Sequence, residues 1–197
     1  AVVPPRGDAE GRRQLARAIG RWEASAAGTA EAPSDDAPEL KLALGRPGVL
    51  HVQRVAFGEA SRQTLRRATW TGPSRFWATA TPIALDRNPG DLHAASAERR
   101  RRAFEEAEAT VARACAHVGL PPPTYVEVTR SATMTGTAKP RAHPPFPRAP
   151  NKPRRVLVHA RIEFADPVRG PVLLGAGRYL GLGLCRPIPP RQEKEPT

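Results

Sequence analysis

The chain has 197 residues and carries 31 Lys and Arg against 19 Asp and Glu, a formal charge of +12 that favours a polyanionic partner. No apolar run approaches the roughly 18 residues of a membrane span and no signal-peptide pattern opens the chain, so no membrane partner is expected, while two lone cysteines fit a reducing, cytoplasmic setting. The two cysteines, Cys115 and Cys185, form neither a disulfide framework nor a zinc site, so no metal or cofactor is expected.

The chain starts Ala-Val-Val without a methionine, as a processed product or a piece of a longer protein would. Leu15, Ile19 and Trp22 recur at helical spacing, so residues 8–27 read as an amphipathic helix beginning at Asp8. A polar Pro/Ser stretch at 27–38 reads as a mobile linker. Residues 39–57 alternate around Gly45-Arg46-Pro47-Gly48, the pattern of a β-hairpin, and a short basic helix follows near 59–69.

Phe76–Leu85 reads as a strand with Trp77, Thr79, Thr81 and Ile83 on one side. Ser96 caps a helix with the stripe Phe104, Ala107, Val111, Ala114 and Val118, stopped by Gly119-Leu120-Pro121. Its four successive arginines, Arg99 to Arg102, oppose the helix dipole and read as a solvated face. Thr124–Arg130 is a second strand. Residues 131–153 form a loop with six prolines, too long for a mere connector. Arg154–Ala165 is a third strand, Val168–Leu174 a short irregular piece, and Leu180–Arg186 a fourth strand. That succession is the split βαβ of a ferredoxin-like α+β domain with its second helix reduced to almost nothing. The expected division is a partial α+β unit over 1–70, the ferredoxin-like domain over 71–188, and a disordered tail over 189–197.

The third strand places Val156, Val158, Ala160, Ile162 and Phe164 on a core face, and Arg155, Leu157, His159, Arg161 and Glu163 on the other. His159 thereby stands between two arginines, in a field that attracts phosphate. His143 lies in the basic loop Lys139-Pro140-Arg141-Ala142-His143 and is the second candidate for chemistry. His117 offsets a helix dipole, and His51 and His93 read as surface groups. Residues 131–186 hold ten basic residues and two acids, so +8 of the charge sits in one segment.

Near the C-terminus Gly175, Gly177, Gly181 and Gly183 are threaded through Arg178 and Tyr179. Glycine at this density marks a backbone that takes φ > 0 or lets another backbone come close. A dinucleotide fingerprint needs a helix next, and Arg186-Pro187-Ile188-Pro189-Pro190 forbids one. A phosphate-cradling P-loop lacks its Lys-Ser or Lys-Thr. A hairpin bend at a strand start remains the plain alternative.

The successions Phe76-Trp77-Ala78-Thr79-Ala80-Thr81-Pro82-Ile83-Ala84-Leu85-Asp86-Arg87, His159-Ala160-Arg161-Ile162-Glu163-Phe164 and Pro167-Val168-Arg169-Gly170-Pro171-Val172-Leu173-Leu174-Gly175-Ala176-Gly177-Arg178-Tyr179-Leu180-Gly181-Leu182-Gly183-Leu184 resemble a known family. It is the C-terminal, repeat-processing endoribonuclease part of the fused CRISPR-associated subunit of type I-U (I-G) systems, of the repeat-associated RNA-binding superfamily. The resemblance spans residues 70–187. It implies ferredoxin-like domains, usually two, and metal-independent cleavage of the CRISPR repeat. A repeat 2′-hydroxyl would attack the adjacent phosphate, leaving a 2′,3′-cyclic phosphate and a 5′-hydroxyl. The implied partners are the repeat RNA, which stays bound as the guide, and other subunits of a type I interference complex; target DNA is met only through that complex.

On this resemblance His159 is the first candidate for base or acid, with His143 behind it. Arg155 and Arg161 would stabilise charge. Gly175, Gly177, Arg178, Tyr179, Gly181 and Gly183, with Lys139 and Arg141, would hold RNA. In many relatives the catalytic histidine lies on a helix of the first ferredoxin-like domain, and helix 8–27 has none. A non-catalytic RNA-binding or structural subunit is the alternative. An RNA-recognition-like sheet would instead need exposed sheet aromatics, and the third strand offers Arg and His.

Overall fold

The computed structural model describes residues 8–27, 38–43, 48–54, 62–147, 151 and 153–190. The chain divides into two compact units, 1–65 and 66–197. Most of the expected linker at 27–38, the turn residues 44–47, the start of the basic helix near 59–69 and the tail at 191–197 lie outside the described residues.

In the first unit α1 spans Ala9–Ala27, and its start is closed by the Asp8 carboxylate, which accepts from the Gly11 amide at 2.7 Å. Strands β1 (Leu40–Ala43) and β2 (Val49–Val52) pair antiparallel, Leu40 opposite Val52 and Leu42 opposite Leu50. The hairpin read from the alternation is present.

The second unit opens with one short turn of helix, α2 (Ala68–Thr71). It continues through β3 (Pro73–Thr79), β4 (Ile83–Ala84), α3 (Ala97–His117), β5 (Tyr125–Thr129), β6 (Leu157–Arg169), β7 (Val172–Leu173) and β8 (Leu184–Pro187). All its pairings are antiparallel. β6 is the central strand. It pairs with β5 along one edge and with β3 and then β4 along the other, while β8 joins the far side of β3 and β7 joins β8. The strand pair that α3 connects, β3 and β5, is thus split by β6, as the ferredoxin-like α+β plan requires.

Alternation along β6 decides what is covered. Val158, Ala160, Ile162 and Phe164 are almost completely buried and meet Ala103, Ala107, Val111 and Ala114 of α3 across one core. Small residues on the helix let it approach the sheet closely, and a buried Phe or Ile contributes about 1.5–3 kcal/mol. Ser96 caps α3 by accepting from the Arg99 amide at 3.4 Å, and the helix ends where Gly119 takes φ +74°.

Three sequence boundaries move. The expected strand 76–85 breaks after Thr79 because Pro82 has no N–H for a ladder and both Ala80 and Thr81 turn their amides to the Leu184 carbonyl, at 2.7 and 3.2 Å. β6 starts later than expected and runs on to Arg169, absorbing the start of the piece read as irregular. The fourth strand starts at Leu184 rather than Leu180, because residues 178–180 form a 3₁₀ turn that ends in left-handed Gly181. As read from the sequence, no second helix lies between β6 and β8.

Candidate nucleic-acid site

The proline-rich loop after β5 folds back over the sheet face opposite α3. A 3₁₀ turn at Pro140–Ala142 lies against β6 and buries Pro140. This placement corrects the sequence picture of His159 on an open strand face: the side chain is 0 % exposed. Both ring nitrogens are committed. Nε2–H donates to the Ala138 carbonyl at 3.0 Å, which leaves Nδ1 to accept from the Thr79 hydroxyl at 2.8 Å. The same hydroxyl accepts from the Ala160 amide at 3.0 Å. Burial lowers the His159 pKa below its ordinary 6.5; the Ala138 hydrogen bond opposes this, and the nearby charge of His143 lowers it further. His159 is therefore a neutral imidazole that joins β3, β6 and the loop.

The two histidines singled out in the sequence are thus neighbours. His143 differs in one respect: its Nε2 is buried without a hydrogen-bond partner. Polar atoms in folded proteins are rarely left so, and those that are call for an explanation such as catalysis or ligand binding. Lys139 and Arg141, from the same turn, are exposed. One short segment therefore combines a buried, unpartnered imidazole nitrogen with two exposed cations close by in sequence.

The arginines flanking His159 do different things. Arg155 donates to the carbonyls of Leu85 and Asp86 at 3.0 and 2.6 Å, so its guanidinium is spent on the backbone after β4. Arg161 is half-buried on the sheet face, with a long contact of 3.5 Å to the Thr133 carbonyl.

The glycine-rich segment is a loop bonded largely to itself and to residues 81–84. The Leu174 amide donates to Gly183, the Gly183 amide to Pro82 and the Ala176 amide to Ala84, at 3.0, 2.9 and 3.0 Å. A Cβ at Gly183, where φ is +71°, would overlap the Leu174 carbonyl; one at Gly175 (φ +81°) would sit 2.5 Å from the Ala84 oxygen. Gly177 likewise faces Leu182. These three glycines are required by the loop's own packing. Gly181 is exposed with open space around it, beside Tyr179 and Leu180, which are 83 and 73 % exposed. Arg178 stacks 4.5 Å over the Tyr179 ring and donates to the Gly175 carbonyl at 3.2 Å. The tip 178–181, rather than the whole glycine run, is what the loop offers to a ligand.

Two residues passed over in the sequence link these parts. Thr79 holds His159, and Thr81, two positions on, donates to the Gly181 carbonyl at 2.8 Å while accepting from Leu184 at 3.0 Å. The Ala-Thr-Ala-Thr-Pro run at a strand end was the available signal. Both cysteines are buried, which pushes the Cys115 thiol up to about 12 and raises that of Cys185 further, so neither serves as a nucleophile. Among the described residues no three His, Cys, Asp or Glu side chains come together as a metal site, and no helix is long and apolar enough to cross a membrane.

Residues 51–187 match the model of a family described as CRISPR-associated protein, GSU0054 family. No curated protein and no solved structure matches the chain.

Proposed function

The chain belongs to this CRISPR-associated family and thus to CRISPR defence, and from that premise we propose that it binds the repeat of precursor CRISPR RNA and cuts it by 2′-hydroxyl attack. The observation that carries the reading is the unpartnered His143 Nε2 in a turn that also presents Lys139 and Arg141. RNA lying against this turn has to displace it enough to uncover the enclosed Nε2 of His143, which then takes the proton of a ribose 2′-hydroxyl. The freed oxygen attacks the adjacent phosphorus, and the bond from phosphorus to the 5′-oxygen breaks. The leaving oxygen takes a proton from solvent. Lys139 and Arg141 offset the extra negative charge of the phosphorane.

His159 moves in this reading from reacting group to positioning residue. With both nitrogens committed it has no lone pair to offer, and it fixes the carbonyl of Ala138 five residues before His143. Arg178 and Tyr179 hold the RNA at the glycine-loop tip, Tyr179 as a stacking surface and Arg178 as a cation. The product stays bound as guide RNA among other subunits of an interference complex.

The test is His143→Ala against a labelled repeat hairpin in EDTA. Cleavage falls about 10²–10⁴-fold, as for loss of a general acid or base, with affinity kept within roughly tenfold. Undiminished cutting by this variant removes the assignment to His143.

A further inference from the structure

The loop 131–147 is tied to the sheet near both ends. The Thr133 hydroxyl donates to the Thr79 carbonyl at 3.0 Å, and the Phe146 carbonyl accepts from the Arg155 amide at 2.7 Å. Between these points, among the described residues, one hydrogen bond joins loop to sheet, from His159 Nε2–H to the Ala138 carbonyl at 3.0 Å. The rest of the segment bonds to itself. The amides of Ala142 and His143 donate to the carbonyls of Lys139 and Pro140 at 2.9 and 3.1 Å, so 139–143 is a closed turn that moves as one piece. Pro140 is buried, while the residues on either side of it, Lys139 and Arg141, are exposed.

The closed position is held by little. It shuts His143 Nε2 away from water without a partner, a cost that ends when the turn lifts. Against that cost stand a single hydrogen bond and one proline ring. Gly136 supplies a joint, because it is exposed, takes φ +79° and has open space where a Cβ would stand. Among the described residues neither Lys139 nor Arg141 is paired with a carboxylate, so both are free to take phosphates. A strand drawn to them pulls on both sides of the one proline that packs the turn down.

We propose that residues 134–145 are a flap that shuts the site in the free chain and that RNA opens it, with the His159–Ala138 hydrogen bond as the latch and Lys139 and Arg141 as handles for the phosphates. The proposal rests on the reading of this turn as the RNA-cutting site and adds its regulation. Only in the open form does the imidazole reach a ribose, which is the differential contact that a shift of equilibrium requires. His143 is thus withheld until a repeat is bound.

The latch is read directly by NMR. The experiment uses the full chain labelled with 15N-histidine and a repeat hairpin carrying a deoxynucleotide 5′ to the cut, with saturation followed by anisotropy. In the free chain the His159 Nε2–H gives a proton signal that exchanges slowly with water and is missing from His159→Gln. At saturating hairpin its exchange rises by about tenfold or more, the protection that one hydrogen bond gives. In a chain with both Lys139→Ala and Arg141→Ala, saturated with the same hairpin, exchange stays at the free-chain rate. A signal as slow in the wild-type complex as in the free chain overturns the flap, and if that complex still cuts an all-ribose hairpin, RNA cutting stands and the flap alone falls. A signal too fast to observe in the free chain overturns the closed state. Faster exchange in the double variant's complex overturns the role of the two cations. A wild-type chain that binds no hairpin is the separate failure of the RNA reading and removes the flap with it.

Discussion

Replacing His159 distinguishes a proton carrier from a strut. His159→Ala removes a fully buried ring and strands two groups, the Ala138 carbonyl and the Thr79 hydroxyl, now bonded at 3.0 and 2.8 Å. Each buried group left without a partner costs about 1–3 kcal/mol, and the lost ring adds a cavity. A total of at least about 2–6 kcal/mol is expected, which lowers Tm by roughly 6–24 °C. The loop loosens with it, so amide exchange should rise first at 138–143. His159→Gln keeps a donor for Ala138 and an acceptor for Thr79. It should therefore cost less than about 1.5 kcal/mol and keep cleavage within roughly tenfold. Calorimetry, hydrogen exchange and single-turnover cleavage on the three proteins give the answer. A His159→Gln protein with a protected loop and cleavage down by about 10²–10⁴ refutes the reasoning, because the imidazole would then be carrying the proton itself.

Other outcomes follow from the same contacts. Gly183→Ala should unfold the second unit or destabilise it severely, since a Cβ overlaps the Leu174 carbonyl, whereas Gly181→Ala, with open space around it, should cost only the roughly 1–2 kcal/mol of a left-handed alanine; thermal melts by circular dichroism compare them. Stability should be full above the ordinary histidine pKa of 6.5 and fall as pH drops below it, because the unfolded chain takes up the His159 proton before the folded one does; urea titrations across this range check the slope, which His159→Gln removes. Repeat RNA affinity should fall steeply with salt, with a log-log slope of about −0.7 to −0.9 per phosphate contacted, and a salt-independent affinity contradicts the electrostatic reading of the +12 charge.

What could be read from the sequence was set by local pattern. The period of α3 with its Ser96 cap and Gly119 stop, and the alternation of β6 from Val158 to Phe164, each declare an element and its buried face. Their order is enough for the split βαβ. The open face was harder, because nothing local to His159 says that residues 138–142 fold onto it; that contact joins positions about twenty apart in a proline-rich loop. The glycines were ambiguous for a related reason. Positive φ was legible at Gly175 and Gly183, but whether the close neighbour is a phosphate or the protein's own carbonyl depends on where Ala84 lies against Gly175 and Leu174 against Gly183, which the local pattern does not show.

The central claim is that this chain cuts repeat RNA through the ribose next to the scissile phosphate. The most direct measurement is single-turnover cleavage, in excess EDTA, of two repeat hairpins that differ only in a deoxynucleotide placed 5′ to the cut, with the product ends identified by mass. The account predicts that the all-ribose hairpin is cut to a 2′,3′-cyclic phosphate and a 5′-hydroxyl, and that the deoxy hairpin is bound equally well and left whole. Cutting of the deoxy hairpin, or binding of both hairpins with neither cut, contradicts it.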